Sequence, residues 1–145
     1  MKVVLVALPV DIQLRSVQHI SDLRHELLIV RSGEEAGRVS HDPRLAKLLD
    51  DIDPDGIVGP AGRAQSEAAK ADGLDVIDVE LDVSPETVPS YPRMVAALEE
   101  ADVLCRELEL LTLAAPPDVA SFRRWTAAQI VGQVTEGKPP QPFAG

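Results

Sequence analysis

The chain has 145 residues, 45% of them apolar, and a formal net charge of −10 at pH 7. That is enough for one domain with its own core and no metal or disulfide staple. The acidic balance repels phosphate backbones and argues against nucleic-acid binding, and an aromatic content of 3% leaves few rings on which bases could stack.

The single Cys105 cannot form an internal disulfide, which fits a reducing, cytoplasmic setting. The apolar run Val3–Leu8 is too short for the apolar core of a secretory signal. No apolar run approaches the ~20 residues of a membrane span.

In chain order, Val3 to Leu8 reads as a central strand covered on both faces, closed by Pro9. Asp11 caps a helix whose apolar face is Val17, Ile20, Leu23, Leu27 and Val30, with Gly33 as its stop. Asp42-Pro43 starts a second helix through Leu45, Leu48, Leu49 and Ile52. Ala64, Ala68 and Ala71 line a short helix over 62–71.

From Leu74 to Val83 the period changes to two. Ile77, Val79, Leu81 and Val83 alternate with Asp78, Glu80 and Asp82, as in a half-exposed edge strand. Met94, Leu98, Ala101, Cys105 and Leu108 make a helical stripe that can face the core or a second copy of the chain. Glu109 to Ala115 reads as a third strand. Pro116-Pro117-Asp118 then opens a last helix with Val119, Phe122, Thr126, Ile130 and Val134 on one side and Gly137 at its end.

A shift of 107 positions superposes Pro9 on Pro116, Asp11 on Asp118, Leu23 on Ile130 and Leu27 on Val134. Two strand–helix units in one sheet, joined by right-handed crossovers, would set the first and third strands side by side and parallel. The expected fold is therefore α/β, with a sheet of about three strands, an acidic edge strand and about five covering helices. Residues 1–137 form the domain, and 138–145 a proline-rich extended tail.

Several residue groups could carry chemistry. Asp51, Asp53, Asp55 and Gly56 spell the opening of a calcium loop, in which alternating carboxylates converge on one hard cation, but the twelfth position is Gly62 and not glutamate. Asp78, Glu80 and Asp82 share a strand face that suits a divalent metal or an acid/base pair, and equally a solvated edge. His19 and His25 lie six apart on one helix, off the four-residue spacing of a helical metal site, and with His41 read as surface histidines. Cys105, on the apolar stripe, reads as a buried, inert thiol. Gly59-Pro60-Ala61-Gly62-Arg63 lacks the spacing of a phosphate loop. Phe122, Arg123, Arg124 and Trp125 place the only tryptophan beside two arginines, a composition enriched at interface hot spots.

The stretches LVALPVD, LLTLAAPPDVASFRRW and PPQPF together resemble a family of small uncharacterised actinobacterial proteins, over nearly the whole length. The resemblance implies a regulatory neighbourhood of serine phosphatases and anti-sigma kinases. The strand-x-P-P-x-x-V-x-x-x-R-R-W unit is also similar to the opening of anti-sigma-factor kinases, whose magnesium asparagine has no counterpart, since the chain contains no Asn.

The expected function is thus a non-catalytic protein-interaction module in phosphatase or anti-sigma signalling, without cofactor. Phe122, Arg123, Arg124, Trp125 and the tail form the contact surface, and homodimers can form through the helical stripe or a sheet edge. The alternative is a small-ligand or divalent-metal protein, possibly an enzyme, using Asp51–Asp55 or the acidic strand.

Overall fold

A computed structural model of the chain describes residues 1–35, 44–107 and 110–145, and its elements pack round one core. Strand β1 (Lys2–Pro9) runs without a loop into helix α1 (Val10–Glu35). A five-residue α2 (Arg44–Leu48) and a 3-10 turn (Leu49–Asp51) precede α3 (Gly59–Ala71) and strand β2 (Val76–Asp82). Then come a second 3-10 turn (Pro85–Thr87), α4 (Ser90–Arg106) and α5 (Pro117–Glu136).

The helical phases read from sequence hold in three places. Val17, Ile20, Leu23 and Leu27 of α1 are buried, as are Met94, Leu98, Ala101 and Cys105 of α4 and Val119, Phe122, Thr126 and Ile130 of α5. Leu45, Leu48, Leu49 and Ile52 are buried too, while Asp42, Pro43 and Leu108 lie outside the described residues. Helix α1 runs on through Gly33 to Glu35, because one glycine costs a helix only ~1 kcal/mol and α1 is 26 residues long.

Helix α3 starts earlier and turns differently from expectation. Gly62, Ser66 and Ala69 are its buried residues, and Ala64, Ala68 and Ala71 face solvent. Gly62 lies so close to its surroundings that an added Cβ would stand 2.5 Å from Val58 Cβ and 3.5 Å from Leu81. The helix packs on β2 through its smallest residue, and alanine is already too large there.

The sheet is two-stranded and antiparallel, with Val3 opposite Leu81, Val4 opposite Glu80 and Leu5 opposite Val79. The register shifts between Leu5 and Leu8, so that Val6 and Ala7 together oppose Asp78. Ala7 takes a left-handed φ of 56°, and its N–H is met by Asp78 Oδ1 at 2.9 Å. This bulge puts both Leu5 and Leu8 in the core although they are three residues apart. A run that reads as buried on both faces is in fact an alternating strand with one bulge.

The parallel three-stranded sheet does not form. Leu110 to Ala115 carries no strand, and Glu109 lies outside the described residues. The place beside β1 is taken by a side chain of α5. Gln133 accepts from Val4 N–H (3.0 Å) and donates to Val4 C=O (2.8 Å), as a neighbouring peptide would. Across the sheet, Gln65 of α3 does the same for Glu80, accepting from its N–H at 3.3 Å and donating to its C=O at 3.0 Å. Val4 and Glu80 are partners in the ladder, so one rung is capped at both ends by carboxamides. The Met94–Cys105 stripe faces the chain's own core, and this one rung of the sheet is closed on both sides.

Candidate functional site

Leu110–Ala115 is a strap laid across α1 and α4, and its backbone shows why it is not a strand. Both Leu111 N–H (2.6 Å) and Thr112 N–H (2.8 Å) donate to the carboxylate of Glu26, as does the Thr112 hydroxyl (2.7 Å). Ala115 N–H donates to Asp102 Oδ1 at 2.9 Å, and the Leu113 carbonyl meets His19 Nε2 at 2.7 Å. Two consecutive amides bound to one carboxylate cannot also alternate along a ladder. Charge-assisted bonds of this kind are about twice as strong as neutral ones.

The anchors stand on three helices. Ser16, His19 and Glu26 come from α1, Asp102 from α4 and Arg123 from α5. Arg123 is 3% exposed and, among the described residues, without a carboxylate in hydrogen-bond contact. Its Nε–H donates to Ser16 Oγ (2.9 Å), and Nη2 donates to Ser16 C=O (3.1 Å) and to His19 Nδ1 (3.0 Å). Because a guanidinium can only donate, His19 Nδ1 is the acceptor, and the imidazole proton sits on Nε2 facing Leu113. Arg123 Nη1 has no partner among the described residues.

Burial pushes the Arg123 guanidinium down to about 10, still a cation at neutral pH, with Asp102 opposing the shift. Burial, then the charge of Arg123, holds His19 below the ordinary imidazole range. The Cys105 thiol is pushed up to about 11 by burial, Asp102 and Glu26, so it stays a thiol.

Ser16, His19 and Asp102 are the residue types of an acyl-transfer triad, but they are not wired as one. The guanidinium bonds both the hydroxyl and the imidazole nitrogen that would serve as base, and the other imidazole nitrogen is spent on the strap. The cluster clamps backbone. What it presents is apolar, for Leu111 and Leu113 are 94% and 81% exposed.

The residues expected to contact a partner divide. Phe122 and Arg123 are buried. Arg124 is exposed and paired with Glu99 at 3.3 Å. Both border a shallow apolar groove of about 460 Å³ between α4 and α5, floored by Val95, Ala96, Ala127, Ala128 and Val131. Trp125 is half-buried against Phe122 and Phe143.

The acidic groups do not converge. Asp55 turns to Arg63 at 3.2 Å, and Asp51 and Asp53 are exposed beside a groove that also holds Arg24 and Arg93. Among the described residues no three His, Cys, Asp or Glu side chains form a group that could hold a metal. On the acidic strand Asp78 fills the bulge, and Glu80 pairs with Lys2 at 3.4 Å. His25 is exposed and His41 lies outside the described residues, whereas His19 is a bridging group and not a surface histidine.

No family model, curated protein or solved structure matches this chain. Its site is therefore built from its own geometry. Glu26 and Asp102, which the sequence reading left out, are central to it. Their one sequence signal is position, since each flanks a helical apolar stripe, where an acid needs a partner from another element.

Proposed function

We propose that this chain is a non-catalytic protein-interaction module whose contact surface is the strap, in regulation of the serine phosphatase or anti-sigma kinase kind that its sequence resembles. The observation that carries the reading is the near-complete exposure of Leu111 and Leu113 on a backbone pinned by Glu26, His19 and Asp102. Burying a leucine is worth ~1.5–3 kcal/mol, and a backbone already pinned loses little further freedom on binding. A net charge of −10 selects a partner whose apolar cleft is rimmed by basic residues.

The test is calorimetric titration of a purified serine phosphatase and a purified anti-sigma kinase from the same host with wild type and with Leu111→Asp/Leu113→Asp. Both positions are exposed, so the variant keeps its melting temperature within the small range of surface changes. One of the two proteins should bind wild type, at least tenfold weaker to the variant, and weaker still as salt is raised. Equal binding to both forms, or none by either protein, would remove this reading.

A further inference from the structure

The segment after α5 is a bound ligand in its geometry. We propose that the Trp125 face of α5 is a site for extended, proline-rich segments that end in an aromatic residue, and that residues 138–143 are its resident occupant, displaced by a partner protein's segment of the same chemistry.

Gly137, at a left-handed φ of 63°, turns the chain back along α5. Lys138 N–H donates to Gly132 C=O (3.1 Å), and the Lys138 side chain lies over Gly132, where an added Cβ would meet it at 3.3 Å. Gln141 is held at both backbone groups: its N–H donates to Gln129 Oε1 (2.9 Å) and its C=O accepts from Trp125 Nε1–H (3.1 Å). Phe143 then meets Trp125 edge-on at 5.4 Å and Phe122 at 5.9 Å. Positions 132, 129, 125 and 122 form one stripe of the helix, at the three- and four-residue steps of a single face.

The backbone accounting is complete. Pro139, Pro140 and Pro142 have no N–H, and the two donors left between 138 and 142, on Lys138 and Gln141, are both spent on α5. The three prolines are themselves exposed, so their contribution is stiffness: they hold the segment extended before it docks. Recognition rests on one aromatic ring, one residue bonded at both backbone groups, and proline between.

Aromatic-lined grooves likewise exploit a preformed proline-rich segment, but here the ring contact is made by Phe143 and the prolines stay outside. The fit is incomplete, since a cavity of about 100 Å³ stays open beside Gln129, Gly132 and Pro139, room for a larger side chain on a competing segment. Three hydrogen bonds, each of modest net worth in water, and one half-buried ring make a displaceable occupant. This site is separate from the strap and stands whether or not the strap binds a partner.

Trp125 is the only tryptophan, so its emission reads occupancy directly. In the full chain, Phe143→Ala should shift that emission to the red. Adding the peptide Lys-Pro-Pro-Gln-Pro-Phe in trans, to about 10 mM and so above the millimolar effective concentration of a short tether, should return it saturably. The same peptide ending in alanine should not, and Gln129→Ala in the Phe143→Ala background should weaken the return several-fold. Identical emission from wild type and Phe143→Ala would mean the segment is not seated on Trp125. A red shift that the peptide fails to reverse would mean a contact closed to segments in trans. Either result overturns the proposal.

Discussion

His19 joins three elements through two nitrogens, and its neutral form is the one the fold needs. Protonation would turn Nδ1 from acceptor to donor against the Arg123 guanidinium, and Asp102 at 4.0 Å and Asp22 offset that only in part. The folded-state pKa is lowered, so between it and the ordinary value near 6.5 the unfolded chain binds more protons than the folded one. The stability this residue contributes is complete above about pH 6.5 and declines as pH falls through the folded value. His19→Gln keeps a donor for Leu113 and an acceptor for Arg123 but does not titrate. Between pH 7 and 5, wild type should lose stability relative to His19→Gln in urea denaturation. Parallel losses in the two proteins would show that His19 is not the titrating group.

At the scale of elements, the two-stranded sheet survives because helices act as its missing neighbours. A bare two-stranded ribbon is marginal in water. Here one rung, Val4 with Glu80, is closed by Gln133 on one side and Gln65 on the other. Gln133→Ala should destabilise the fold by about 1–2 kcal/mol and speed exchange of the Val4 amide, since both its backbone groups lose their partner. Gln65→Ala acts at a more exposed edge, where water replaces the bonds, and should cost less. Gln133→Glu separates the contributions, because a carboxylate still accepts from Val4 N–H but cannot donate to its carbonyl. Unchanged Val4 exchange in Gln133→Ala would contradict the capping role.

These elements also mark where sequence is informative. The faces of α1, α4 and α5 and the alternation of β2 were legible, because each follows from burying one apolar stripe against a shared core. The Glu109–Ala115 run was not. Its apolar residues read as a buried strand, yet within Leu110–Ala115 the backbone groups of Leu111, Thr112, Leu113 and Ala115 are met by Glu26, His19 and Asp102, which no local periodicity announces. The same blindness applies to Arg123. Adjacent to Arg124 and identical in type, it is buried while its neighbour is exposed, a difference that only the helical phase relative to α1 decides. Phe122 and Trp125, expected to meet a partner, are in ring contact with each other and with the chain's own Phe143, a neighbour 18 or more residues away that local sequence does not announce.

For the whole molecule, helices enclose a largely aliphatic core and present one pinned, leucine-bearing strap. The central claim is that helix side chains, and no neighbouring strand, hold that strap. Amide hydrogen exchange at single-residue resolution tests it most directly. Leu111, Thr112 and Ala115 should exchange slowly, Leu113 and Ala114 quickly, and Glu26→Ala should release Leu111 and Thr112 while leaving Ala115 protected. Protection at alternate amides along the run, unaffected by Glu26→Ala, would be the signature of a paired strand and would contradict the account.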